Sequence, residues 1–165
     1  MTFKTTYKNR GKFLEDAINA TNRQYLERDL ALIQKIPTPT IVNTRTGKGR
    51  YSEKSTVDFI GVSRGKHVAF DAKEVSTKIF PFSRLKPHQY NYLLNVHKQR
   101  GEAFILILFK QVNELYKLDI FTYAKLKRDL DRKSIPYEWF KSNLKPIKSK
   151  NGIYYDYLNV AHKYI

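Results

Sequence analysis

Residues 55–74, STVDFIGVSRGKHVAFDAKE, decide the fold of this chain. Residues 56–62 and 67–73 alternate in polarity, which is the pattern of two β-strands with unlike faces. Between them, residues 63–66 contain Gly65, the kind of residue that a tight hairpin turn favours. The stretch therefore predicts an antiparallel hairpin around which the other elements assemble.

Chemically reactive side chains are concentrated on this predicted hairpin. Asp58 falls within the first strand, and Asp71 and Lys73 share one face of the second strand. Pairing the strands brings Asp58 close to Asp71, and two nearby carboxylates repel each other unless a cation joins them. Such oxygen ligands suit Mg²⁺ or Mn²⁺, and a neighbouring lysine can orient an attacking hydroxide or stabilise negative charge developing on a phosphate.

An Asp-x-Lys pair on a strand is by itself more often a solvent-facing polar pair than a catalytic one. Here the opposite face of the strand is apolar, and a second aspartate lies on the paired strand. The helix predicted before the hairpin adds Glu15, next to a polar strip formed by Asn19 and Asn22. These three features favour a metal-dependent site that acts on phosphodiesters.

The elements around the hairpin follow from hydrophobic spacing. A helix over residues 10–28 is predicted by the face that carries positions 14, 17, 18, 21 and 25. Further helices are predicted over residues 88–100 and 122–132, and further strands over residues 30–36, 103–109 and 114–120. This order predicts a single α/β domain over residues 1–165, with a mixed central β-sheet flanked by helices.

The chain is strongly basic. Its 165 residues include 31 Lys and Arg against 15 Asp and Glu, a formal net charge of +16, which favours a polyanionic partner such as nucleic acid.

The absence of cysteine excludes disulfides, thiolate zinc sites and thiol nucleophiles. No apolar run reaches the roughly 20 residues of a membrane span, and residues 1–4 lack a signal-peptide pattern. We therefore expect a cytoplasmic protein with no membrane partner.

Two basic segments are candidates for contact with that polyanion. Residues 40–54 combine two glycines with four basic residues and one acid, which is typical of a flexible polar excursion. Residues 125–150 carry nine basic against three acidic side chains, a bias that favours phosphate contact over a merely solvated surface.

The hairpin pattern, an Asp followed by Asp-x-Lys, resembles that of the restriction-endonuclease-like nuclease superfamily. More specifically, residues 9–109 resemble the RecU-type Holliday junction resolvases. The matching stretches, in family order, are RG at 10–11, LE at 14–15, INATN at 18–22, IQKIPTP at 33–39, STVDF at 55–59, GV at 61–62, FDAKE at 70–74, FPF at 80–82 and HQ at 88–89. Their combination is far more specific than any single motif, and it implies a restriction-endonuclease-like core with a protruding stalk at residues 40–54.

The resemblance implies a role for each matching site residue. Four residues would lie around a divalent metal ion, Mg²⁺ with Mn²⁺ able to substitute: Thr56, Asp58, Asp71 and Gln89. Lys73 would stabilise the transition state, and Glu15 would sit near the site and assist a metal ion or a water molecule. The family usually has Glu at the position of Asp71, so this shorter ligand is expected to alter the metal geometry without abolishing activity.

The same resemblance implies a homodimer that resolves branched DNA, a Holliday junction, by paired symmetric nicks that leave 5′-phosphate ends. DNA contacts would come from Arg10 and from the stalk residues Arg45, Lys48, Arg50 and Lys54. The stalk is shorter than in cellular family members, which suggests a phage or mobile-element version.

Two alternatives stay open. One is a duplex-cleaving repair or restriction-type nuclease of the same superfamily, and the other is a non-catalytic junction-binding protein. The carboxylates argue against the second alternative, since acidic side chains bring nothing to a protein that only binds DNA.

Overall fold

The computed structural model describes residues 11–38, 40–51 and 56–161. In these ranges the chain forms four α-helices: α1 (Lys12–Glu27), α2 (Pro87–Lys98), α3 (Ile120–Asp129) and α4 (Tyr137–Asn143). It also forms nine strands: β1 (Leu32–Lys35), β2 (Thr40–Val42), β3 (Gly49–Tyr51), β4 (Phe59–Ser63), β5 (Lys66–Val75), β6 (Ile79–Pro81), β7 (Glu102–Phe109), β8 (Glu114–Asp119) and β9 (Ser134–Pro136). A 3₁₀ turn, Phe82–Arg84, follows β6.

Five strands form the central sheet, in the order β1-β4-β5-β7-β8. β5 and β7 run parallel and the other neighbouring pairs are antiparallel, so the sheet is mixed and the predicted α/β class is confirmed. The parallel pair needs a crossover connection, which contains α2. Both faces of β7 are covered, which explains why its residues are apolar almost without interruption.

A hydrophobic core lies on each face of the sheet. On one face, α1 and the C-terminal segment pack on Phe59, Phe70 and Phe104, whose neighbouring rings stack with centroids 4.9 and 4.8 Å apart. On the other face, α2, α3 and α4 pack against alternate residues of β5 and β7, including Ala69 and Ile105. The alternation along β5 therefore separates two cores, as its sequence pattern predicts.

The start of α1 is tied to β5 by a buried carboxylate. The two oxygens of Glu74 accept hydrogen bonds from the backbone amides of Gly11, at 2.8 Å, and Leu14, at 3.1 Å. The negative charge also meets the positive end of the α1 dipole, where amides lack partners within the helix. Glu74 thereby holds α1 against the strand that carries Asp71 and Lys73.

Several local predictions differ from the structure. β4 begins at Phe59, so Asp58 lies just before the strand and not within it. α3 begins at Ile120, before the predicted start at residue 122, because the side chain of Asp119 caps the helix by accepting a hydrogen bond from the amide of Thr122 at 2.9 Å. Residues 134–143 show no periodic pattern in the sequence, yet they form β9 and α4.

The predicted basic excursion contains a small β-ribbon. β2 and β3 pair antiparallel, separately from the central sheet, and the amide of Asn43 closes their turn by donating to the carbonyl of Lys48 at 3.0 Å. Residues 52–54, which complete the predicted excursion, lie outside the described residues. Within the described ranges, the helices are all too short or too polar to cross a membrane.

Replacing Glu74 by glutamine should destabilise the protein. Glu74→Gln removes the charge and one of the two acceptor oxygens, so we expect the free energy of unfolding to fall by about 1–2 kcal/mol. Urea denaturation followed by circular dichroism measures this change. Glu27→Gln, at the exposed other end of α1, is the matched control and should change stability by less than about 0.5 kcal/mol. Equal losses in the two variants would contradict the anchoring role of Glu74.

Candidate active site

The register of β4 and β5 places Asp58 and Asp71 side by side. Phe59 pairs with Phe70, so the next position outward places Asp58 opposite Asp71. The amide of Asp58 donates to Oδ1 of Asp71 at 3.2 Å, and the amide of Ala72 donates to Oδ2 of Asp58 at 2.9 Å. Each carboxylate thus accepts a hydrogen bond from the backbone of the opposite segment. The structure brings together the two aspartates that the sequence singles out.

Asp71 is an aspartate with no solvent exposure. Its Oδ1 also accepts a hydrogen bond from Nε2 of Gln89 at 3.0 Å. Its Oδ2 has no hydrogen-bond partner within the described ranges, and its contact there is an ion pair with Nζ of Lys73 at 2.5 Å. Burial raises the pKa of Asp71, as does the nearby charge of Asp58, whereas Lys73 lowers it. This oxygen is therefore placed where a further cation would stabilise the charged form.

A cavity of about 280 Å³ opens beside the aspartate pair. It lies between the start of α1 and the β4–β5 hairpin, and its lining residues are Gly11, Glu15, Asp58, Phe59, Ala72, Lys73, Glu74 and Arg84. The side chain of Lys73 is only 16% exposed, so its ammonium is held between Asp71 and this cavity. The cavity gives a phosphate-containing ligand access to both a carboxylate and a cation.

Gln89 acts on Asp71 from the first turn of α2. Its Nε2 donates to Asp71, while its Oε1 accepts a hydrogen bond from the backbone amide of Lys86 at 3.0 Å. Both ends of the amide are therefore occupied, and in this arrangement Gln89 orients Asp71. Thr56 is exposed, two residues before Asp58. The metal-ligand roles of Gln89 and Thr56 stay predictions.

Glu15 reaches the same cavity from α1, as its predicted place near the site requires. Its carboxylate forms an ion pair with Nζ of Lys35 on β1 at 2.5 Å, and both side chains are about 40% exposed, at 41% and 44%. Lys35 therefore balances the charge of Glu15 at the edge of the cavity. Its assistance to a metal ion or a water molecule stays a prediction.

Arg84 is a site residue that the sequence pattern did not reveal. Its Nη2 donates to the backbone carbonyl of Glu74 at 2.9 Å, and the side chain lines the cavity beside Lys73. It lies in the 3₁₀ turn after β6, in a stretch whose proline and serine residues predict only a loop. The tertiary fold brings this guanidinium to the hairpin, and no periodic pattern in the sequence indicates that contact.

The predicted DNA-contacting residues are only partly described. Arg45 and Lys48 are exposed on the turn of the β2–β3 ribbon. Arg10, Lys54 and the side chain of Arg50 lie outside the described residues. The DNA contacts of all five residues stay predictions.

The side chains around the cavity are those that would have to hold the predicted Mg²⁺ or Mn²⁺ ion. The described ranges contain no cluster of three or more His, Cys, Asp or Glu side chains that would make a metal cage of protein ligands alone. Mg²⁺, however, is commonly held by one or two carboxylates, with water molecules and substrate phosphates completing its shell. Asp58 lines an accessible cavity and Asp71 lies buried directly beside Asp58, so together they supply that number of carboxylates. The residues therefore fit Mg²⁺ or Mn²⁺.

A mixed sheet whose central hairpin pairs two aspartates, and presents one of them, Asp58, together with Lys73 to a cavity, defines a restriction-endonuclease-like α/β protein. Residues 9–163 match the family described as Recombination protein U (RecU), and the chain belongs to the RecU family. The resemblance seen in the sequence motifs is thereby confirmed.

Several curated relatives carry the name Holliday junction resolvase RecU. The protein of Oceanobacillus iheyensis is 39% identical over 172 residues, covering 95% of this chain and 87% of the relative. The protein of Mycoplasmopsis pulmonis is 38% identical over 136 residues, covering 82% and 83%. The protein of Pediococcus pentosaceus is 32% identical over 172 residues, covering 96% and 86%.

Among solved structures, Hjc of Archaeoglobus fulgidus, a Holliday junction resolvase, aligns with a TM-score of 0.48 and 8% sequence identity. The alignment covers 78% of this chain and 94% of Hjc.

Metal binding at the aspartate pair should appear as thermal stabilisation. Mg²⁺ at 100 times its Kd adds about 2.7 kcal/mol and so raises the Tm by roughly 5–10 °C in a domain of this size. Asp58→Asn keeps an acceptor for the amide of Ala72 but removes the charge, so this variant should fold and lose most of the shift. Differential scanning calorimetry with and without Mg²⁺ measures both proteins. Asp131→Asn, an exposed substitution, is the control, and an unchanged shift in Asp58→Asn would remove Asp58 from the metal site.

Proposed function

We propose that this protein is a metal-dependent, structure-selective DNA endonuclease that resolves four-way (Holliday) junctions in the cytoplasm. The observation that carries the proposal is the hydrogen-bonded aspartate pair with Lys73, beside a cavity that Asp58 and Lys73 line, in a RecU-family chain with a net charge of +16. The curated relatives named above are Holliday junction resolvases, and they cover most of this chain.

The proposed reaction is hydrolysis of a phosphodiester. The oxygen of a water molecule forms a new bond to phosphorus, the bond from phosphorus to the 3′ oxygen breaks, and that oxygen takes a proton from solvent. The products are a 5′-phosphate and a 3′-hydroxyl. Asp58 and Asp71 would hold Mg²⁺ or Mn²⁺, which when bound would lower the pKa of water and polarise the phosphate.

Lys73 has two tasks in this proposal. Without a metal ion, its ammonium is the cation that balances the buried carboxylate of Asp71. In the reaction, the same ammonium faces the cavity, where it would orient the nucleophile and offset negative charge on the phosphate oxygens. Gln89 keeps Asp71 in place through Oδ1, leaving Oδ2 toward the cation. Arg84 adds a second positive group to the cavity, with donors beyond the one it uses on Glu74.

The paired nicks of junction resolution would require a homodimer. A twofold assembly has two equivalent sites, and a four-way junction offers two equivalent strands to them. The exposed Arg45 and Lys48 on the β2–β3 ribbon would then contact phosphates of the branched DNA.

Two other functions make different demands on the site. A nuclease of linear duplexes would use the same cavity but would not distinguish a junction from a duplex. A protein that only binds junctions would gain nothing from a pair of carboxylates beside an anionic ligand, because like charges repel. The aspartate pair therefore favours an enzyme, and substrate preference separates the two nucleases.

The proposed function is tested by incubating the purified protein with a labelled four-way junction and with a linear duplex of the same sequence, with and without Mg²⁺. We expect symmetric nicking of the junction that depends on Mg²⁺, at least tenfold faster than cleavage of the duplex. Equal cleavage of both substrates would support the duplex nuclease. Binding without cleavage at any concentration of Mg²⁺ or Mn²⁺ would support the junction-binding protein.

Lys73→Gln should separate cleavage from binding. Loss of a cation that acts on the transition state is expected to lower the single-turnover cleavage rate by about 10²–10³-fold. Junction affinity should change less than threefold, because one of many basic residues is removed. Lys66→Gln is the control on the same strand, about 23 Å away at 3.3 Å per residue. A cleavage rate in Lys73→Gln equal to that of Lys66→Gln would exclude Lys73 from the mechanism.

A further inference from the structure

A second cavity, of about 630 Å³, lies beside the 3₁₀ turn Phe82–Arg84. Its lining includes four basic residues, Lys86, Lys127, Arg132 and Lys133, together with Phe82 and Ser83 of the turn. We call this cavity the basic groove. Its cations come from three separate parts of the chain: the residue before α2, the last turn of α3, and the connection from α3 to β9.

The positive charge of the basic groove is largely uncompensated. All four basic side chains belong to exposed residues, and none forms an ion pair with an acidic residue in the described ranges. Asp129, on α3, is engaged by the neighbouring Arg128 at 2.6 Å, and Asp131 is exposed on the α3–β9 connection. Four like charges around one concave surface repel each other, so the groove is suited to an anionic ligand.

The backbone beneath these cations is held by hydrogen bonds. The amide of Phe82 donates to the carbonyl of Lys133 at 3.0 Å, and the hydroxyl of Tyr123 donates to the carbonyl of Phe82 at 3.1 Å. β6 and β9 pair alongside, with Phe80 opposite Ile135. The basic groove is therefore a preformed surface and not a loose basic tail.

The same 3₁₀ turn lines both the basic groove and the cavity beside the aspartate pair, which we call the catalytic cavity. Phe82 and Ser83 line the groove, whereas Arg84, the next residue of the same turn, lines the catalytic cavity. Lys86 lines the groove, and its amide donates to Gln89, which in turn donates to Asp71. A strand cut at the aspartate pair would thus carry its neighbouring phosphates past the groove.

We propose that the basic groove binds the sugar-phosphate backbone of the duplex arm next to the scissile phosphate; this inference rests on the proposed function, since it assigns that arm a path. Phosphates are favoured over bases because the aromatic ring that lines the groove, Phe82, is only 8% exposed and packs against Tyr123, so it offers no stacking platform. Contacts to phosphates position a duplex without reading its sequence.

The test compares two triple variants that each remove two lysines and one arginine. Lys127→Gln/Arg132→Gln/Lys133→Gln removes charge from the basic groove. Arg64→Gln/Lys66→Gln/Lys98→Gln removes the same charge from exposed residues at the other end of β4 and β5 and of α2. Fluorescence anisotropy in the absence of divalent ions gives the Kd for a four-way junction and for a linear duplex over a series of salt concentrations.

We expect the groove variant to lower the slope of log K against log salt by two to three units for both DNAs, at about 0.9 unit for each phosphate that the variant no longer neutralises. At 0.1 M salt its affinity should fall at least tenfold, while the control variant changes less than threefold. Equal losses in the two variants would show only a diffuse effect of net charge and would overturn the proposal. A loss confined to the junction would also overturn it, because a duplex arm is present in both DNAs.

Circular dichroism and thermal melting check that both variants fold. Lys127 lies 4.9 Å from the centre of the Tyr90 ring, so its replacement can disturb packing. The double variant Arg132→Gln/Lys133→Gln leaves that interaction intact and should still lower the slope by more than one unit. A slope unchanged in this variant would overturn the proposal.

Failure of the inference can be distinguished from failure of the proposed function. Wild-type protein that cleaves junctions, together with a groove variant of unchanged salt slope, contradicts the groove alone. Wild-type protein that binds DNA through the groove but cleaves nothing contradicts the proposed endonuclease and leaves the groove as a duplex-binding surface.

Discussion

The antiparallel register of β4 and β5 is the constraint on which the site depends. It places Asp58 opposite Asp71, and each carboxylate accepts a hydrogen bond from an amide of the other segment. Because side chains alternate along a strand, a slip of one residue would turn Asp71 to the face occupied by Phe70 and would separate the two aspartates. The two hydrophobic cores, one on each face of β5, oppose such a slip, so packing far from the cavity maintains its chemistry.

For Asp71, burial has a structural cost, and its proposed role is in metal binding. A carboxylate without solvent exposure is unfavourable unless it is paired and hydrogen-bonded, and here Lys73, Gln89 and the amide of Asp58 meet that need. The ion pair neutralises the charge, yet Oδ2 has no further hydrogen bond within the described part of the chain. Glu74, on the opposite face of β5, accepts hydrogen bonds from two amides at the start of α1 and anchors that helix. Two acids of the same motif thus have different roles: Glu74 anchors a helix, and Asp71 belongs to the proposed metal site.

Much of the fold could be predicted from local patterns, because α1, α2 and β5 space their apolar residues regularly and β7 is a nearly uninterrupted apolar run. The helix and strand after α3 were harder to predict. β9 and α4 are short, and a segment of three to seven residues shows too little of any period to be recognised. The start of β4 could not be predicted either. Asp58 continues the alternating pattern of the strand in the sequence, but it lies just before the hydrogen-bonded strand in the structure.

The sequence by itself determined the hairpin, its acidic and basic residues, the mixed α/β class and the excess of positive charge, because these depend on local spacing and composition. Only the tertiary structure decided that Glu74 anchors α1, that Gln89 is occupied at both ends, and that Arg84 joins the cavity. The basic groove likewise exists only once the 3₁₀ turn, the start of α2 and the end of α3 are packed together. These residues lie far apart along the chain. Their contacts depend on how whole helices and strands pack, and this packing cannot be predicted from a local sequence pattern.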